Sequence, residues 1–252
     1  MPFAALSRAR TLIWLMLACA VVGGCSRRGV FTREYEYEEE LYLSLDGSAT
    51  LNVNASVASL VALRGADLDP DPHARVDRER VRAMFEGEGA RVSVSLARRD
   101  SRRFVHASVR VDDVRQLSRL APFAWSSYRF DRRGEQVAFR QAVGAPVTHA
   151  PAMPWTGDEI VVFRMHLPSE VVSHNSPSGR IERGNILEWE QPLSDRLAGR
   201  TLNIAVDLEP ESILYTTLIL FGSSVLAAAA ALAAVIWWIA RRGRDSEVTE
   251  AA

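Results

Sequence analysis

Tyr35-Glu36-Tyr37-Glu38-Glu39-Glu40-Leu41-Tyr42-Leu43-Ser44-Leu45-Asp46-Gly47-Ser48-Ala49-Thr50-Leu51-Asn52-Val53-Asn54-Ala55-Ser56-Val57 is the stretch that decides the fold class. Successive side chains of a strand point to opposite faces, so a two-residue alternation marks a half-buried strand. Tyr35, Tyr37, Leu41, Leu43 and Leu45 fall on one face, and Glu34, Glu36, Glu38 and Glu40 mostly on the other. Asp46-Gly47 is turn chemistry, and Ala49, Leu51, Val53, Ala55 and Val57 alternate on the return. Two alternating runs joined by Asp-Gly predict a β-hairpin. The glutamates read as a solvated sheet face; a surface for a basic partner or a cation is the sharper alternative.

Outward from this hairpin, Leu60 to Asp77 carries Pro70 and Pro72 and reads as a loop. A short helix after Asp77 places Val81, Met84 and Phe85 on one face, and Gly87 and Gly89 end it. Ala90–Ala97 and Phe104–Val111 alternate about a turn at Arg99-Asp100-Ser101. Asp113 with Gln116 three residues on is a capping-box variant, and Val114, Leu117 and Leu120 make the buried stripe of a second helix closed by Pro122. Tyr128 and Phe130 pair across Arg133-Gly134 with Val137 and Phe139. Gly144–Gly157, with Pro146, Pro151 and Pro154, is an internal boundary or a long surface loop. Ile160–Leu167, Asn185–Glu190 and Thr201–Leu208 are three further strands. The expected fold is α+β: a mostly antiparallel sheet of hairpins with two short helices, followed by a C-terminal transmembrane helix.

The ends place the protein. Arg8 and Arg10 precede an apolar stretch, Thr11–Val22, too short to span a bilayer comfortably but of signal-peptide length. Val22-Gly23-Gly24-Cys25 resembles the bacterial lipobox, in which small residues precede the cysteine to be lipidated. The alternatives are an ordinary cleaved signal or a short uncleaved anchor. From Ile213 to Ala240 no residue is charged, long enough for a membrane span. Pro210 and Ser212 start that helix, with Ser212 as N-cap. Tyr215, Trp237 and Trp238 suit the two interfaces, and Arg241, Arg242 and Arg244 put the C-terminus in the cytoplasm. The expected organisation is a signal peptide at 1–24, a tether at 25–30 and an extracytoplasmic domain at 31–210 with a sub-boundary near 144–158. A transmembrane helix at 213–240 and a cytoplasmic tail at 241–252 follow. A lipidated protein with a spanning helix stays in the cytoplasmic (inner) membrane, its domain facing the periplasm or the cell exterior.

Composition narrows the chemistry. The formal net charge is −1, and every basic residue other than histidine is arginine, so no basic face speaks for nucleic acid. Cys19 and Cys25 are the two cysteines, which removes thiol chemistry from the domain. Asp67-Leu68-Asp69-Pro70-Asp71-Pro72-His73 has the alternating carboxylates of a calcium loop, but Pro72 stands where glycine is needed and Arg78 where the closing glutamate belongs. His73, His106, His149, His166 and His174 have no zinc-site spacing, although His166 and His174 flank a loop and could approach each other. No Gly-x-Ser-x-Gly elbow, P-loop or dinucleotide glycine pattern occurs. The expectation is a non-enzyme with no catalytic residue, metal or cofactor.

Met165-His166-Leu167-Pro168, Val171-Val172-Ser173, Asn175 through Gly179-Arg180-Ile181-Glu182, and Asn185-Ile186-Leu187-Glu188-Trp189 lead through a last strand, Leu202–Leu208, into the membrane helix. This segment is similar to the LppM-type lipoproteins of mycobacteria and their relatives, which share the lipobox, the envelope α+β domain and the single C-terminal helix. The likeness of residues covers about 160–240; Leu60–Gly157 does not align. The resemblance implies a non-catalytic module binding lipid or glycolipid in an apolar pocket, with no pocket residue carried over. The rival class is an assembly accessory of a membrane complex, for which Ser223, Ala227 and Ala231 offer a small-residue row to a partner helix. Trp189 is expected in the core, whereas Trp125 and Trp155 lie in loop-like sequence, either covering the core's end or touching headgroups. An open apolar cavity of about 300 Å³ or more would favour a ligand; a flat apolar patch would favour a partner. Metabolic labelling with a fatty-acid analogue is expected to mark the wild type and not Cys25→Ala; labelling that survives the substitution refutes lipidation at Cys25.

Overall fold

In a computed structural model, residues 35–250 are described except 100, 135, 147–152 and 154. The expected signal peptide and tether, Cys25, His149 and the centre of the proline-rich segment therefore lie outside the described residues. Among the described residues ten strands form two sheets. The larger contains β1 (Tyr35–Leu43), β2 (Ala49–Ser56), β3 (Ala90–Arg99), β4 (Arg102–Val111), β7 (Ile160–His166) and β9 (Ile186–Pro192), in the order β3-β4-β2-β1-β7-β9. The smaller contains β5 (Ser126–Arg133), β6 (Gln136–Val143), β8 (Ser169–His174) and β10 (Leu202–Ser212), in the order β5-β6-β10-β8. All pairings are antiparallel except β1 with β7. One apolar cluster draws side chains from both sheets.

The opening hairpin forms as its alternation predicts, with Leu41 opposite Leu51 and Leu43 opposite Ala49. The remainder of the α+β expectation holds, with local differences. Leu60 begins no loop: Val57–Arg64 is a helix, α1, buried over nearly its whole circumference. Ser56 caps it by accepting from the Ser59 N–H at 3.0 Å. Gly65 ends it at φ 63°, the left-handed conformation that glycine adopts without a Cβ penalty. The Ser59 hydroxyl donates to the Glu36 carbonyl at 2.6 Å, tying helix to strand. The helix after Asp77 is α2 (Arg78–Phe85), with Val81 and Phe85 buried. The second expected helix is instead two 3₁₀ turns, Val114–Arg119 and Ala121–Phe123. The capping box does not close there, because the Asp113 carboxylate accepts from the backbone and guanidinium of Arg115. Ser169–His174 is a strand that alternation did not announce.

A short helix, α3 (Leu193–Leu197), follows β9. From β10 the chain passes without a linker into α4 (Ile213–Glu250), whose segment Ile213–Trp238 is long and apolar enough to cross a membrane. The Ser212 hydroxyl accepts from the Leu214 N–H at 3.2 Å, as an N-cap should. The Ile213 N–H donates to the Pro168 carbonyl at 3.1 Å and Ser212 pairs with Ser169, so the start of β8 also holds the junction. Leu60 is fully buried on α1. Leu60→Ala should destabilise the domain by about 2–5 kcal/mol through lost transfer energy and the cavity left behind. Urea unfolding of the full chain measures this, and a loss under about 1 kcal/mol would contradict the burial of α1.

Candidate functional site

Strand alternation sorts the six-stranded sheet into two faces, and each carries polar groups of a different kind. On the inner face, register aligns Val94, Ala107, Val53, Glu39, Phe163 and Trp189 across all six strands. Glu39 is thus a carboxylate in the middle of an apolar row, 2% exposed. Such a charge must be paired to be tolerated. Its partner is Arg64, the last residue of α1, which forms an ion pair with Oε1 while its Nε donates to the Tyr37 hydroxyl at 3.0 Å. The Tyr37 hydroxyl in turn donates to Glu39 Oε1 at 2.5 Å. Burial drives the Tyr37 hydroxyl well above its ordinary pKa, with the Arg64 charge opposing. The Arg64 guanidinium lies 3.1 Å from the centroid of the Trp125 ring, and Arg196 lies over the same ring at 4.7 Å. Arg196 is fully buried and donates to the carbonyls of Arg200 and Gly144. Burial, then repulsion from Arg64, pushes its pKa down to about 10. This cluster binds α1, β1, α3 and the Trp125 segment into one unit, a structural task.

The outer face is where a ligand can reach. Register there aligns Ser93, Ser108, Asn52, Glu40, Arg164 and Glu188, and beside them Ser95, His106, Asn54 and Glu38. A groove of about 460 Å³ runs over β1 to β4, lined by Glu38, Glu40, Asn52, Asn54, Ser93, Ser95, His106 and Ser108 with three apolar neighbours. Asn54 Nδ2 donates to Glu38 Oε2 at 3.3 Å, while Asn54 Oδ1 accepts no hydrogen bond from the protein. Burial lifts the Glu38 carboxyl above its usual range against the pull of Arg164. Arg164 pairs with Glu38 and, at 2.6 Å, with Glu188. Burial, then the Arg99 charge, depresses His106, which leaves it neutral near pH 7. Beside the groove Tyr42 and His166 stack at 4.0 Å and 8°, and His166 Nε2 stands 3.5 Å from Glu40 Oε1.

The glutamates are therefore not a solvated face. Glu36 and Glu38 are buried, and Arg102 and Arg164 neutralise them. The Asp67–His73 loop gathers no cation cage: Asp67 pairs with Arg80, and the Asp69 and Asp71 carboxylates accept from the N–H groups of Asp71 and His73. Among the described residues no group of three His, Cys, Asp or Glu could hold a metal. His166 and His174 keep separate company, His174 Nδ1 accepting from the Ser176 N–H at 3.2 Å. Trp189 is in the core, its indole N–H donating to Asn175 Oδ1 at 3.2 Å. Trp125 is half-buried against the core with the Arg64 guanidinium over its ring, while Trp155 lines a second, apolar pocket of about 130 Å³ with Val57, Pro70, Pro72 and Met153. That pocket is below the 300 Å³ expected of a lipid cavity. Sequence reading missed Glu39, Arg64 and Arg196. For Glu39 the signal was present: it sits at the apolar parity of β1.

Fold and groove together define a class: a two-sheet α+β domain with a polar trough on one sheet face, joined directly to a helix long enough to cross a membrane. Among solved structures, the NMR structure of the folded domain of LppM from Mycobacterium tuberculosis aligns with a TM-score of 0.39 and 16% identity, over 73% of this chain and 95% of that one. No protein-family model matches the chain, and no curated protein does.

Removing one member of a buried pair strands the other charge and costs about 3–5 kcal/mol, whereas replacing the whole set with apolar residues of similar volume is near neutral. Arg64→Met alone should therefore destabilise by that amount. The triple variant Arg64→Met, Glu39→Leu, Tyr37→Phe should recover most of it in urea unfolding. A triple variant no more stable than the single would contradict the assigned network.

Proposed function

We propose that this chain is a membrane-anchored envelope lipoprotein whose domain is a non-catalytic binding module for the polar headgroup of a glycolipid. Lipid on Cys25 and the crossing of α4 hold it in the cytoplasmic membrane, with the domain outside and Arg241, Arg242 and Arg244 inside. The observation that carries the reading is the lining of the groove. Carboxylates, amides, hydroxyls and a neutral imidazole converge there from four strands, and no arginine lines it. Side chains that both accept and donate suit vicinal hydroxyl groups. Glu38 has its arginine, Arg164, outside the lining, and Glu40, which has no arginine partner among the described residues, disfavours a phosphate in the trough. The groove is polar where an acyl-chain cavity would be apolar, so the sugar end of the lipid is the part recognised. His106 and Glu38 are two strands apart across Asn54, roughly 10 Å at sheet spacing, too far for a direct proton relay.

Native mass spectrometry of the full-length protein in mild detergent tests this. The wild type should retain a glycolipid mass, and Asn52→Ala/Asn54→Ala should lose it by about tenfold, or about 1.4 kcal/mol. Equal retention by both would remove the groove from the reading. A stoichiometric membrane-protein subunit without lipid would favour an assembly accessory held through the row Ser223, Ala227 and Ala231, which lies on the exposed surface of α4.

A further inference from the structure

We infer that the free edge of β3 is a self-association surface, where a second copy of this chain pairs antiparallel and continues the six-stranded sheet. Among the described residues no strand lies beyond β3. A free edge offers a row of unpaired N–H and C=O groups, which proteins normally defend with charge, proline, bulges or short length. The opposite edge, β9, is defended in this way: it is short, seven residues, and ends at Pro192. The smaller sheet's edges carry Arg129, Asp131 and Arg132 on β5 and Glu170 on the short β8. β3 carries charge only towards its two ends, at Arg91, Arg98 and Arg99. It runs from Ala90 to Arg99 in unbroken register with β4, without proline or bulge.

The arginines of β3 do not guard it either, because each is engaged within its own chain. Arg91 pairs with Asp112 at 2.8 Å, Arg98 donates to the Pro72 carbonyl at 3.1 Å, and Arg99 lies over the Phe104 ring at 4.3 Å. Between them, Val92-Ser93-Val94-Ser95-Leu96-Ala97 is uncharged, and Leu96 is 38% exposed.

The occupant follows from register. A two-fold axis normal to the sheet keeps each residue on its own face, so one residue of the strand must face its own copy across the axis. Centred on Val94, it sets Ser93 opposite Ser95 of the second copy, Val92 opposite Leu96 and Arg91 opposite Ala97. Apolar then meets apolar, hydroxyl meets hydroxyl, and no like charges face each other. Centred on Ser95, it would oppose Arg91 to Arg99; centred on Ser93, it would shorten the ladder and set Leu96 against Ala90. Two copies anchored in one bilayer meet at a raised effective concentration, which makes a short ladder sufficient. Ser93 and Ser95 also line the groove, so pairing joins two grooves side by side across the axis. The inference is independent of what the groove holds.

The test uses the full chain, with donor and acceptor fluorescent proteins at its C-terminus, in phosphatidylcholine vesicles. Wild type should give energy transfer above that of randomly distributed copies. Ser93→Glu/Ser95→Glu, at exposed positions that leave the fold alone, should reduce apparent association at least tenfold. Ser93→Glu/Ser95→Lys should retain it, because glutamate then faces lysine across the axis. Three results would overturn the inference: no transfer in the wild type, transfer in the Glu/Glu variant equal to wild type, or loss of transfer in the Glu/Lys variant.

Discussion

A single carboxylate in the wrong place organises this domain. Glu39 points from the central strand of the larger sheet into an apolar interior, and ionised it can remain there only if a cation is brought to it. α1 exists in its observed position to end at Arg64, and its burial on nearly all sides follows from lying between the strand that carries Glu39 and α3. Trp125 closes over the guanidinium, and Gly144 accepts from Arg196, whose guanidinium also lies over that ring. At Gly144 a side chain would meet the Trp125 carbonyl at 2.8 Å, so the chain passes too close to admit a Cβ. A buried ion pair contributes little net stability compared with an apolar replacement. In this structure the charge is satisfied where the strand β1, the end of α1 and the turn at Trp125 meet.

What could be read from the chain before folding was what depends on neighbours in sequence. The hairpin from Tyr35 to Ser56 is legible because its alternation and its Asp-Gly turn are local, and the same holds for β3 with β4 and for β5 with β6. α1 was illegible because Val57-Ala58-Ser59-Leu60-Val61-Ala62-Leu63 is apolar all round and too short to display a helical period. The glutamate face was misread because its partners are remote: Arg102 is 66 residues from Glu36, and Arg164 is 126 from Glu38. No local pattern predicts such pairs. Trp125 sits among loop signals, and nothing near it in sequence announces the arginines that stack on it.

The groove falls between these cases. Its amides and hydroxyls were visible as the off-parity residues of β2, β3 and β4, yet their convergence requires the strand order β3-β4-β2-β1, which places β2 between β1 and β4. Sheet order is a property of long-range pairing. A polar face four strands wide therefore becomes a site only after the chain has closed, and no single stretch of sequence carries it.

The junction between β10 and α4 makes the molecule a lever without a swivel. β10 is held on one side by β6 and on the other by β8, and the strand becomes helix within one residue, at Ser212 and Ile213. Torque on the helix axis is delivered straight into the smaller sheet. Where α4 is seated in a bilayer, its tilt dictates the attitude of the whole head, so lipid thickness becomes a variable that aims the trough.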